Sequence, residues 1–166
     1  TDGILLVKTM AELGYKPKAI VAQDAGFSEK ALYDAVGDKL EGVISRGSFS
    51  LDLAKKRPVV GTINTMYKAK SGKDFNDLTS RQFMGLIVMA DAINRAKSTD
   101  GEKIRAALAA TDMPGEQTIM PWKRVKFDDM GQNNDADPVL LQYVGGKFVT
   151  IFPAQAAIAE ALWPMK

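Results

Sequence analysis

Two runs with strand character, residues 139–144 and 147–152, face each other across Gly145-Gly146. Glycine at both corner positions permits the positive φ angles that a two-residue hairpin turn needs. The spacing therefore predicts an antiparallel pair over 139–152. A polar turn, Phe127-Asp128-Asp129-Met130-Gly131-Gln132-Asn133, comes before it, and Pro153 and a Leu162-Trp163-Pro164 tail come after. A last helix is expected near 154–162.

The beginning of the chain alternates helix and strand. Asp2 to Leu13 has helical character, with Gly14 as a C-terminal stop, and feeds straight into a strand over 18–23. That order is the second half of a β-α-β unit without its first strand, so the chain is expected to be the C-terminal portion of a longer protein. After a loop at 23–27, Ser28 is a plausible N-cap for a short helix through about Val36. Residues 41–46 read as another strand, buried if it is central to a sheet. From Ala54 to Ala110 only helical periodicity is found. Pro58 suits a first turn, and Val59, Val60, Ile63, Met66 and Tyr67 recur until Ser71-Gly72. Ser80 to Ala96 is apolar almost all round, which predicts burial between layers. Thr99 and Glu102 have capping-box spacing before a third helix. Residues 113–122 read as an irregular connection, and Arg124 to Phe127 as short and extended.

Composition removes whole classes of chemistry. Histidine and cysteine are both absent, which excludes imidazole bases, thiol nucleophiles, disulfides and the common zinc, iron–sulfur and haem ligand sets. Lysine plus arginine number 22 against 20 acidic residues, and the cations are scattered without interleaved aromatics, so nucleic-acid binding is not expected. No apolar run approaches the ~20 residues of a membrane span. The first residues, Thr1-Asp2-Gly3, have no basic region or cleavage site, so a secretory leader is not expected within this stretch. The cluster Asp128, Asp129, Asn133, Asn134, Asp135 and Asp137 fails the EF-hand pattern, so no metal site is expected. Gly47-Ser48-Phe49-Ser50 is the nearest string to a nucleophile elbow and has no histidine to serve it, while Gly72-Lys73 lacks the rest of a phosphate loop. The expectation is a protein without catalysis and without a cofactor.

The order of elements from the Phe127–Asn133 turn through the hairpin to Trp163-Pro164 resembles the C-terminus of the periplasmic solute-binding proteins of ABC importers, branched-chain amino acid class. Val36-Gly37-Asp38 with Glu41-Gly42-Val43 is similar to that family's approach to a second-lobe strand. The resemblance implies an α/β, type I periplasmic-binding-protein fold, of which this is the C-terminal half contributing to two hinged lobes. Residues 1–50 would be the β/α part of the second lobe. Residues 51–125 would be a helical part of the first, and 126–166 the hinge return, hairpin and terminal helix of the second. It further implies capture of a small amino acid or related carboxylate in a cleft, in the periplasm, for delivery to ABC permease subunits. The N-terminal half of the same protein would supply the other cleft contacts.

By that resemblance Asp24 meets the ligand's ammonium group, Gln23 and Ala25 share its loop, and Gln82 and Phe83 line the cleft from the start of a first-lobe helix. Each also has a plainer reading: an Asx turn or cap for Asp24, a strand end for Gln23, core packing for Phe83. A ligand-sensing domain of a transcriptional regulator or receptor with the same bilobal fold is the alternative function.

Overall fold

The computed structural model describes residues 2–23, 25–27 and 30–165. Two short sheets and five α-helices are found among them. The first helix, α1 (Asp2–Glu12), leads into the two-residue strand β1 (Val21–Ala22). A short helix α2 (Lys30–Val36) then leads into β2 (Ile44–Gly47). After a 3-10 turn at Leu51–Lys55 come three helices, α3 (Pro58–Ser71), α4 (Asp77–Ala96) and α5 (Gly101–Ala109). Four strands complete the chain: β3 (Asp112–Pro114), β4 (Arg124–Lys126), β5 (Val139–Val144) and β6 (Lys147–Phe152).

The main sheet has the order β1-β2-β5-β6, with β1 and β2 parallel and the other neighbours antiparallel. Its hairpin is the one the sequence predicts: Gly145 and Gly146 have φ of 56° and 85°, the positive pair that a type I′ corner requires. A bulge between Leu140 and Leu141 shifts the register of β6. The expected strand at 18–23 shrinks to the two residues that face partners on β2, and the Lys18 carbonyl ahead of them is taken by the tail while the Ile20 carbonyl belongs to the β1-β2 ladder. Lys18 accepts the amide of Met165, and Ile20 that of Ile44.

The chain builds two main cores. One joins Val7, Phe27, Leu32, Val36, Leu40, Val43 and Tyr143 around the main sheet. The other joins Phe49, Leu53, Val60, Phe75, Met84, Val88, Met113 and Met120, formed by α3, α4 and the β3-β4 pair. The helices start where local chemistry starts them. Pro58 occupies the first turn of α3, and Gly72 at φ 73° ends it. Asn76 and Thr79 make a reciprocal capping box on α4, at 2.9 and 3.0 Å.

Four expectations are corrected. Asp100, not Thr99, caps α5, its carboxylate accepting the amide of Lys103 at 3.0 Å; aspartate one position later places its oxygen over the first turn. The connection at 113–122 holds a strand at its start, since Asp112–Pro114 pairs with Arg124–Lys126. No terminal helix forms over 154–162. Ala156 and Ala157 close one turn on the Pro153 carbonyl, but Ile158 and Ala159 then donate to the Thr150 carbonyl on β6, which diverts the backbone from a helical ladder. Finally α4 buries only one face, through Ser80, Met84, Val88 and Ala92, while Leu86 is 70% exposed. Ser28, the expected cap of α2, lies outside the described residues.

Candidate functional site

Parallel pairing of Val21 with Ile44 and Ala22 with Ser45 carries the C-terminal ends of β1 and β2 to the same edge of the sheet. Neighbouring strands lie about 4.8 Å apart, so the segments leaving those two ends run side by side. Leaving β1 is Gln23, exposed, followed by a one-turn 3-10 helix, Ala25–Phe27. Phe27 is buried in the sheet-side core and anchors this loop, which leaves Gln23 at the surface. Asp24 lies outside the described residues.

Leaving β2 is Ser48-Phe49-Ser50, the chain's first passage from one core to the other. The Oδ1 atom of Asp77 fixes it by accepting the amides of both Ser48 and Phe49. Asp77 opens α4, and its Oδ2 pairs with Arg81 at 3.0 Å. The Arg81 Nε also donates to the Asp77 carbonyl at 3.1 Å. Gln82, one residue on, is exposed. Thus the sheet edge that carries Gln23 also carries the start of the passage to α4.

Phe83 is placed differently. It is half-buried in the helical core, its ring 5.4 Å from that of Phe75, which stacks at 4.1 Å on Tyr67 and meets Phe49 edge-on at 6.5 Å. Gln23 therefore sits at the end of the sheet, and Phe83 belongs to the aromatic group of the other core. Between the cores is a hollow of about 220 Å³, walled by Tyr33 and Phe148 on one side and Phe49 and Phe75 on the other, with Asp77 and Lys147 as its charged residues. Its volume falls below the ~300 Å³ where small-molecule pockets usually begin.

Three side chains that the sequence did not single out hold this arrangement. Besides Asp77, Asp52 accepts the amide and the hydroxyl of Thr150 at 2.7 and 2.8 Å, tying the 3-10 turn to β6. Gln142, fully buried on β5, donates to the carbonyls of Gly42 and Leu162 at 2.9 Å and accepts the Leu162 amide at 2.7 Å. Each partner lies far away in sequence, so local pattern gave no signal. The run Asn76-Asp77-Leu78-Thr79 does mark a helix start, which was the only trace of Asp77.

The acidic turn bonds to itself. Asp128 accepts the amide of Gln132, the side-chain amide of Asn134 and the amide of Met130, and these bonds, the first above all, hold its carboxyl below the ordinary 3.8. Asp74 is held below the same value by Asn64, then by Lys68. Among the described residues no group of acidic side chains is gathered to hold a metal ion.

No protein-family model matches the chain. Among curated proteins, Leu/Ile/Val-binding protein homolog 7 of Brucella suis biovar 1 (strain 1330) is 32% identical over 170 residues, which take in 99% of this chain. Along nearly its whole length the chain is similar to this Leu/Ile/Val-binding protein homologue. It spans 42% of the length of that relative. Solved structures share the fold. A leucine binding protein from Thermotoga maritima MSB8 superposes with a TM-score of 0.70 at 25% identity, over 90% of this chain and 40% of its own. A periplasmic binding protein type 1 from Bordetella pertussis Tohama I gives 0.66 at 21%, over 90% and 42%. The type I periplasmic-binding-protein fold implied by the sequence is the fold observed, in part. That part comprises both sheets, the helices α1 to α5 and the passages between them.

Proposed function

We propose that this chain is the C-terminal part of an extracytoplasmic solute-binding protein that captures a small apolar amino acid and presents it to an ABC permease. The observation that carries the reading is the 32% identity, along nearly the whole chain, to a Leu/Ile/Val-binding protein homologue. The geometry is in keeping with it. Two cores joined by short passages are what a hinged clamp needs, and the sheet edge bearing Gln23 meets the passage to α4.

In this reading residues 1–50 belong to one lobe with the hairpin and tail of 126–166, and 51–125 belong to the other. Asp24 meets the ligand ammonium, with Gln23 and Ala25 beside it, and Gln82 and Phe83 face the ligand from the opposite lobe. The edge strand β1, whose Val21 is 68% exposed, is continued by a strand from the N-terminal half of the same protein. A ligand that touches both lobes only when the hinge is shut shifts the open and closed populations by its differential affinity. The work is capture, and no bond of the ligand is broken.

Isothermal titration of the full-length protein with L-leucine, L-isoleucine and L-valine tests the proposal. Saturable binding at one ligand per chain, with the ligand recovered unchanged, is the expected result. Absence of binding to all three, or their conversion to product, would overturn it.

A further inference from the structure

The parallel strands β1 and β2 have two ends, and only the C-terminal pair, which releases Gln23 and Ser48, meets the passage to α4. At the opposite pole of the sheet, the end of α1, the segments entering β1 and β2, and the C-terminal tail surround a hollow of about 370 Å³. That volume lies within the range of small-molecule pockets. At the ~30 Å³ that a water takes in the liquid, it has room for roughly a dozen non-hydrogen atoms.

Its walls are fixed. Met165 donates its amide to the Lys18 carbonyl at 3.0 Å, and its side chain lies so close to Gly42 that a Cβ added there would come within 2.6 Å of it. Three residues earlier, Gln142 holds both backbone groups of Leu162. Val7, Met10, Ile20, Pro164 and Met165 give the hollow an apolar body, to which Tyr15, 63% exposed, adds a ring.

The charges around that body are one-sided. Lys16, Lys18 and Lys39 stand at its rim, all exposed, and among the described residues none of them is paired with a carboxylate. Of the two acids in the lining, Glu41 is turned to the hairpin corner, where its oxygens accept the Gly145 amide at 3.1 and 3.3 Å. Asp38 is thus the one lining carboxylate not engaged in this way, against three ammonium groups. Apolar walls reward a buried hydrocarbon chain, and lysine ammonium groups attract an anionic head without demanding bidentate geometry. An α-amino acid does not suit the place, because its own ammonium group would lie among the three lysines.

We infer that this hollow is a second ligand site, separate from the amino-acid cleft, for an elongated apolar carboxylate of about ten carbons, the size its volume admits. The hydrocarbon chain lies along Met10, Ile20 and Met165, and the carboxylate meets Lys16, Lys18 and Lys39. Since Gln23 leaves the sheet at the other pole, both ligands are held at once.

Isothermal titration of the full-length protein with sodium decanoate tests it, beside decyltrimethylammonium, a cation with a chain of the same length. Saturable binding of one decanoate per chain is expected, at least about tenfold tighter than the cation and within about threefold of the same affinity when L-leucine is present in excess. The double variant Lys16→Glu/Lys18→Glu is expected to weaken decanoate at least about tenfold while leaving Tm and the L-leucine titration unchanged, both side chains being exposed. Met10→Trp, which fills the apolar body, should weaken it by a similar factor. Displacement of decanoate by L-leucine would put it in the amino-acid cleft and overturn the inference. Unsaturable uptake of many copies, equal binding of the cation, or unchanged affinity in the double variant would overturn it as well. The decanoate arms are read whether or not L-leucine binds, so a failure here is separable from a failure of the proposed function.

Discussion

Asp77 accepts the backbone amide of Phe49 at 3.1 Å across 28 positions of sequence. With the amide of Ser48 on the same oxygen and Arg81 on the other, one carboxylate joins the start of α4 to the passage between the two cores. Asp77→Ala leaves two part-buried amides without an acceptor and is expected to cost about 2–4 kcal/mol, the penalty for unmade bonds to a charged group. Asp77→Asn keeps an oxygen acceptor and should cost less than half as much. Urea unfolding of the three proteins measures the difference, and equal stability of Asp77→Ala and wild type would remove the carboxylate from this role.

Gln142 holds the C-terminal tail from the middle of the sheet. Replacing it with Leu removes three hydrogen bonds and strands the carbonyl of Gly42 and both backbone groups of Leu162. A loss of about 2–4 kcal/mol is expected, with the Leu162 amide exchanging its hydrogen at least tenfold faster. Hydrogen exchange read by mass spectrometry over 153–165 checks it. Protection that stays unchanged would show that the tail is secured by other contacts.

Asp24→Ala is expected to weaken L-leucine binding by the full-length protein at least tenfold, the loss of one charge-assisted bond, and to move the Tm by no more than about 2 °C. Calorimetry and a thermal melt separate the two effects. A large Tm shift with unaltered affinity would instead make Asp24 a structural turn residue.

Acid should loosen two specific places. Asp74 and Asp128 both have folded-state pKa values below the ordinary 3.8, so in the unfolded chain they bind protons more readily than in the folded one. Their contribution is therefore fully present above 3.8 and is lost as pH falls through the lower, folded values. Between pH 7 and 5 neither group should alter stability. Below about pH 4, backbone NMR shifts of Met130, Gln132 and Phe75 should move ahead of global unfolding; if they first move near neutrality, these carboxylates are not the cause.

What could be read from residues alone was mostly local. The Gly145-Gly146 corner, Pro58 at a helix start and Gly72 at its end each fix backbone angles by themselves, and the structure has them as expected. The hairpin and three-helix order, and with them the family resemblance, followed from such signals. Errors came where distant partners decide. The Thr150 carbonyl draws the backbone of Ile158 and Ala159 away from a helix, and the sequence around 154–162 contains nothing to announce that. Of the five expected site residues, Gln23 lies at the sheet edge and Phe83 in an aromatic cluster, while Asp77, Asp52 and Gln142 escaped notice because each acts on a residue far along the chain. The composition of α4 predicts burial all round, and the described residues bury only its inner face.

The sheet is interrupted by everything between β2 and β5: Gln142 reaches Gly42 across 100 positions, whereas the helical core is drawn almost entirely from one unbroken stretch of chain. Closing so long a loop is entropically slow unless its contents have already contracted. The consequence is a sequence of events in folding. The helical insert condenses first and draws its two ends together, and only then can the central strands zip. Pulse-labelling should find amide protection in α3 and α4 before β5; simultaneous protection would contradict this order.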